Sequence, residues 1–147
     1  MPDTKNKLDS GLTLIELLVV ITIIGILTTV AAPYFISYRD KSRVAAAMQT
    51  AQTIRDAFAS YAQSQVENLY PEGSEIFDWE SLKIMCRNNG ANLKNTETEQ
   101  GIACISYTVA DDRGEYELTL RVMGIDGSTI GSIIEIKTSG IVKYSLD

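Results

Sequence analysis

The chain contains no histidine. That removes the side chain most used for proton transfer at neutral pH, and the commonest metal ligand with it. Ser/His/Asp and Cys/His nucleophilic arrangements are impossible within this chain alone, and no glycine-rich phosphate loop or pair of acids on one helical face replaces them. Proline is scarce, with three residues, and there is a single tryptophan. Basic residues are outnumbered: 13 Lys and Arg face 19 Asp and Glu, for a net charge of −6. The deficit is uneven. Residues 1–64 carry six basic and five acidic side chains, a balance of +1, whereas residues 65–147 carry seven and fourteen, a balance of −7. An acidic C-terminal half is a poor match for a phosphate backbone, so no nucleic-acid partner is expected of it.

Cysteine is limited to Cys86 and Cys104. An even count in a region that reads as exported favours a Cys86–Cys104 disulfide; two buried free thiols are the alternative. Such a loop closure contributes about 3 kcal/mol in the chain-entropy model.

What the chain does have is one long apolar run. After a polar stretch from Met1 to Ser10, residues Leu12 to Ala32 contain a single charge, Glu16. At 1.5 Å per residue these 21 positions span roughly 30 Å as a helix, the thickness of a bilayer core. A secretory signal peptide has a shorter apolar region, and explains neither Gly11 nor Glu16. Lys5 and Lys7 precede the run while Arg39, Lys41 and Arg43 follow it, so a count of flanking positive charge leans slightly against a cytoplasmic N-terminus. Tyr34, Phe35 and Tyr38, just past the run, suit the membrane surface.

Pro33 cannot donate to the Thr29 carbonyl and is expected to kink or end the helix. Gly25 is a second weak point in helix propensity. Helical periodicity then resumes. Val44, Ala47, Met48, Ala51, Ile54, Phe58, Tyr61 and Ala62 recur at spacings of three and four, which predicts an amphipathic helix to about Gln65. Trp79 to Met85 reads as a short helix leading to Cys86, and Asn95 to Gln100 as polar loop. From Ile102 the period becomes two. Tyr116, Leu118, Leu120 and Val122 alternate with Glu115, Glu117, Thr119 and Arg121, and turn signals separate runs at 102–110, 115–123, 130–137 and 141–146. The expected fold is α+β: a long N-terminal helix with a three- or four-stranded antiparallel sheet packed on its second half. The segments are residues 1–11, a leader; 12–32, the membrane half of the helix; 33–65, its amphipathic half; 66–101, a connecting region; and 102–147, the sheet.

Glu16 remains unexplained by this plan. A carboxylate in lipid costs on the order of 2–3 kcal/mol at mid-helix, so a partner or an escape to the headgroups is required. No cation lies within reach along the helix. A cut between Gly11 and Leu12 supplies one: the new ammonium of Leu12 stands four residues, or one helical turn, from Glu16. It can pair with its own Glu16 or with that of a neighbouring helix.

The stretch Gly11-Leu12-Thr13-Leu14-Ile15-Glu16-Leu17-Leu18-Val19-Val20-Ile21, followed by Ile24-Gly25-Ile26-Leu27 and Pro33, closely resembles the class III signal of type IV pilins and pseudopilins. The resemblance implies cleavage after Gly11 by a prepilin peptidase, methylation of the Leu12 amine, and a leader that faces the cytoplasm. It implies one passage through the inner membrane with the head on the periplasmic side, and then a homo-oligomeric filament, an extracellular pilus or a periplasmic pseudopilus, in which Glu16 pairs with the N-terminus of an adjacent subunit and the Gly25–Pro33 segment loosens on assembly. The implied partners are membrane lipid before assembly, the peptidase, and the pilus or secretion machinery of the inner membrane. Leucine at position 12 departs from the family's usual phenylalanine. No cofactor is implied. Asp111-Asp112 and Gly124-Ile125-Asp126-Gly127-Ser128 do not follow a calcium-loop template and read better as solvated turns, so no metal is expected. Major pilin, minor pilin and pseudopilin all stay open, with a pilus subunit preferred. Beside them stands a membrane-anchored periplasmic binding module that never polymerises.

Overall fold

The computed structural model describes residues 13–124 and 126–145. Its elements run in order α1 (Leu14–Ser64), α2 (Trp79–Asn88), α3 (Glu97–Gln100), β1 (Ile102–Val109), β2 (Tyr116–Met123), β3 (Thr129–Lys137) and β4 (Gly140–Ser145). The chain divides into two compact units, Met1–Tyr38 and Arg39–Asp147.

The described part of the first unit is helix. α1 does not end at Pro33; it runs through it, contrary to one of the two outcomes expected there. The missing N–H leaves one turn without its hydrogen bond, and the surrounding helix persists because that loss is confined to a single carbonyl. Its apolar window has a mean hydropathy of 2.6 and none of it is buried. The three threonines inside it are satisfied locally. Thr22, Thr28 and Thr29 each donate to the carbonyl four residues back, on Leu18, Ile24 and Gly25 at 2.7, 2.7 and 2.9 Å. No hydroxyl of these three is left to face an apolar surrounding unpaired.

The second unit is built around one face of the remaining helix. Ala47, Ala51, Ile54, Ala57, Phe58 and Ala62 are buried, where periodicity placed the stripe. Against them lie Leu118, Leu120 and Val122 of β2 and Ile134 and Ile136 of β3. The sheet has the order β1-β2-β3-β4, all neighbours antiparallel. Alternation on β2 is as the sequence predicts, with Tyr116, Leu118, Leu120 and Val122 turned inward. Phe58 is fully buried and stacks on Tyr116 with ring centroids 4.6 Å apart; Tyr70 and Tyr107 flank Tyr116 at 4.6 and 6.3 Å.

α2 closes the remaining side of this core with Trp79, Leu82, Met85 and Cys86. It starts where it does because Asp78 caps it. The Asp78 carboxylate accepts from the Ser81 amide at 2.8 Å, and the Ser81 hydroxyl accepts from the Asp78 amide at 3.1 Å. Residues 95–100, expected as loop, contain the single helical turn α3. Thr96 accepts from the Glu99 amide at its start, and Gly101, with φ +80°, ends it. The turn ties other elements together: Glu97 accepts from the Cys104 amide at 2.9 Å, and Gln100 donates to Thr50 of α1 at 3.0 Å.

Two arginines on α1 reach over its edge. Arg43 donates to the Met123 carbonyl at 3.0 Å and Arg55 to the Thr138 carbonyl at 3.2 Å, one at each end of the β2–β3–β4 meander. Their long apolar stems cover the core margin while their heads satisfy strand-end carbonyls.

Candidate assembly site

Gly11 and Leu12, the expected cleavage pair, lie outside the described residues. The description begins one residue later, at the start of the helix. Thr13 is not yet helical, and its hydroxyl accepts from the Glu16 amide at 3.3 Å while its carbonyl accepts from the Leu17 amide at 3.1 Å. Thr13 is therefore the N-cap. Glu16 is the third residue of the helix, where a negative charge also meets the positive end of the helix dipole favourably. Thr-x-x-Glu is the capping-box pattern. It was present in the sequence, and the helix start was readable from it.

Around Glu16 every neighbouring side chain on α1 is apolar. Leu14, Ile15, Leu17, Leu18, Val19 and Val20 are all exposed in the isolated chain. A subunit whose first helix shows this surface on all sides is complete only in lipid or against other apolar helices. Gly25 adds to this picture. A Cβ placed on it would meet no atom within 4 Å, so nothing in the subunit's own packing requires a glycine there. Pro33 frees the Thr29 carbonyl, while the Thr29 hydroxyl is already engaged with Gly25.

Cys86 and Cys104 are both free thiols in this structure, so the expected bond is not formed in it. Cys86 is buried on α2 and Cys104 half-buried on β1. Each is held by its own element: Cys86 by the core face of α2, and Cys104 by a strand whose amide is tied to Glu97. Burial pushes the Cys86 thiol from 9.0 up to about 12. Burial, with the Glu97 carboxylate adding to it, pushes Cys104 up to about 11. Both are inert thiols at neutral pH.

The two acidic turns serve themselves. Asp126 accepts from the Ser128 amide at 3.0 Å and its hydroxyl at 2.6 Å, and these bonds hold its pKa below the usual carboxylate value. Asp112 accepts from the Gly114 amide at 3.0 Å. These are side-chain-to-backbone turn bonds. Among the described residues no group of three or more His, Cys, Asp or Glu is placed to hold a metal ion.

Comparison with known proteins agrees with this geometry. Residues 6–32 match the model of the prokaryotic N-terminal methylation motif. The chain is 41% identical over 126 residues to a type IV major pilin protein, PilE, of Neisseria gonorrhoeae, covering 84% of this chain and 72% of that one. It is 31% identical over 117 residues to the type IV major fimbrial protein FimA of Dichelobacter nodosus, covering 78% of this chain and 72% of that one. A shorter match of 49 residues, 47% identical, reaches the type IV narrow pilus major component PilA5 of Thermus thermophilus, covering 33% of this chain and 42% of that protein. No solved structure matches. An apolar N-terminal helix joined to an α+β head defines the pilin-like class, and the extent of the likeness to PilE and FimA makes the assignment specific. The chain belongs to the type IV pilin family.

Proposed function

We propose that this protein is a structural subunit of a type IV pilus, made as a precursor and assembled with copies of itself through its N-terminal helix. The observation that carries the reading is the helix itself. Residues 14–38 form a helix with apolar residues on all sides, none of its apolar window buried, and with one carboxylate, Glu16, in its first turn. Such a surface needs two successive environments: lipid before assembly and neighbouring helices afterwards.

A prepilin peptidase cuts between Gly11 and Leu12 and methylates the Leu12 amine. The helix crosses the bacterial inner membrane once, with the head on the periplasmic side, until the inner-membrane assembly machinery extracts the subunit into the filament. Glu16 then pairs with the Leu12 ammonium of an adjacent subunit. At 4 Å and an effective dielectric of 20, that attraction is about 4 kcal/mol before desolvation. Gly25 gives neighbouring helices a close approach. Pro33 supplies the turn whose missing hydrogen bond lets the segment extend. Relatives matched over most of both chains are named a type IV major pilin protein and a type IV major fimbrial protein, which supports a major pilus subunit.

Glu16→Ala tests the role of the carboxylate. The variant is expected in the membrane fraction at wild-type level but absent from filaments sheared off the cell and seen by electron microscopy. Filaments at wild-type yield from Glu16→Ala would refute the pairing.

A further inference from the structure

The head carries its charge in two blocks along one helix and the loop that follows it. From Arg39 to Arg55 there are four basic residues and one acid, Asp40. From Asp56 to Leu82 there are six acids, Asp56, Glu67, Glu72, Glu75, Asp78 and Glu80, and no base. Several members are already engaged. Arg43 and Arg55 bind strand-end carbonyls, Glu72 pairs with Arg113 at 3.3 Å, Glu80 pairs with Lys83, and Asp78 caps α2. At the basic end this leaves the exposed Lys41; Arg39 beside it lies 3.7 Å from the Asp40 carboxylate. At the acidic end it leaves the exposed Asp56 and Glu67, and Glu75, whose carboxylate accepts from the Glu72 amide at 2.8 Å and pairs with no cation among the described residues.

The acidic end also holds a groove of about 520 Å³ between the end of α1, the 66–78 loop and α2. Tyr61, Pro71, Ile84 and Met85 give it an apolar floor, and Glu75 and Asn88 stand among its polar lining. Val66 and Phe77 are the most exposed large apolar side chains of the head, Phe77 at 77% and Val66 fully exposed. Both adjoin the groove in the chain: Val66 lies two residues after Ser64, a lining residue, and the Phe77 amide donates to the Ser81 hydroxyl, another. The loop that presents them is fixed. Tyr70 exchanges bonds with Arg113, its amide donating to the Arg113 carbonyl at 3.0 Å and its carbonyl accepting from Arg113 Nε at 2.8 Å. A rigid apolar groove with an acidic margin and large apolar side chains beside it has the composition of a protein-binding patch.

We propose that this groove docks a second copy of the chain, receiving its basic segment around Arg39 and Lys41. Charge complementarity selects that segment, and so does geometry. Lys41 and Ser64 are 23 residues apart on one helix, an axial separation of roughly 35 Å. A patch at one end of the head that fits a segment at the other end makes a heterologous contact. Repeated, that contact runs on along an axis instead of closing into a pair. It therefore sets the axial stagger between subunits, a role distinct from the packing of the apolar helices. It rests on the filament reading above.

Charge exchange in the full-length chain tests the contact. Lys41 and Glu75 are both exposed, so neither change reaches the core; Glu75→Lys also takes the acceptor from the Glu72 amide, a loss that Lys41→Glu cannot restore. Each alone should lower the yield of sheared filaments at least about tenfold, while the subunit level in the membrane stays constant. Lys41→Glu with Glu75→Lys in one chain should restore yield to within about twofold, because attraction is re-formed with reversed sign. Phe77→Ser should reduce yield without any rescue by charge. Wild-type yield from both single charge variants, or a double variant no better than the singles, would overturn the contact and leave the groove to some other protein. Absence of filaments from the wild-type chain would instead remove the pilus reading, and this contact with it.

Discussion

Phe58 has no exposure and lies between the helix and the sheet, stacked on Tyr116 and tilted against Tyr107 at 5.5 Å. Its removal leaves a cavity walled by rigid strands. Phe58→Ala is expected to cost about 3–5 kcal/mol, read as a shift in the denaturant midpoint of the head's unfolding transition in detergent. Its place was legible from spacing alone, since it falls on the i, i+3, i+4 stripe between Ile54 and Tyr61. The cysteines were less so. Their number and compartment favoured a bond, but sequence says nothing about which faces of α2 and β1 they occupy. As free thiols their raised values fix a sign. Unfolded cysteine ionises near 9.0, the folded Cys86 near 12 and Cys104 near 11. Their contribution to stability is complete below pH 9 and is lost as pH rises through the folded values. Native protein at pH 8 should therefore alkylate slowly with iodoacetamide at Cys86 and rapidly in denaturant. Quantitative alkylation of denatured, unreduced protein from the cell envelope is the expected mass-spectrometric result. A mass two units low and no label would show the disulfide instead.

Among the elements, those with long periodic patterns were readable and the single turn α3 was not. The four strands sit within a residue or so of their predicted limits because alternation and turn residues act together. The helix end at Ser64 follows from the loss of stripe and the Tyr70-Pro71 breaker. α3 was missed because four polar residues carry no periodicity; its signal is the Thr96 cap followed by Glu99, the same Thr-x-x-Glu pattern that starts α1. The reach of Arg43 and Arg55 was not legible, because a helical wheel cannot show that a long side chain meets a distant backbone carbonyl. At this scale the Asp78 cap makes a pH prediction. Hydrogen bonds from the Ser81 amide and hydroxyl hold its pKa below the usual 3.8. A depressed folded value means stability that is present above 3.8 and lost as pH falls through the folded pKa. Asp78→Asn keeps a capping acceptor and removes the titration. Circular dichroism should show wild-type helix loss on acidification below pH 3.8 that is reduced in Asp78→Asn. Identical acid profiles would contradict this account of the cap.

For the whole molecule, the two units divide the work. The first is an apolar helix that carries Glu16 at its beginning, and the second is a head with its own core and an uneven charge. The motif was the most legible part of the chain, because Gly11, the Thr-Leu-Ile-Glu run and Pro33 fall within one stretch of 23 residues. The groove and its acidic margin were not legible, since they combine the end of α1, the 66–78 loop and one face of α2. The central claim is that this chain is cut before Leu12 and built into a filament through the helix so exposed. Mass spectrometry of subunits in filaments sheared from the cell surface tests it most directly. A chain beginning at Leu12 with one added methyl group on its amine is the predicted result. A chain beginning at Met1 in every fraction, membrane and surface alike, would contradict it.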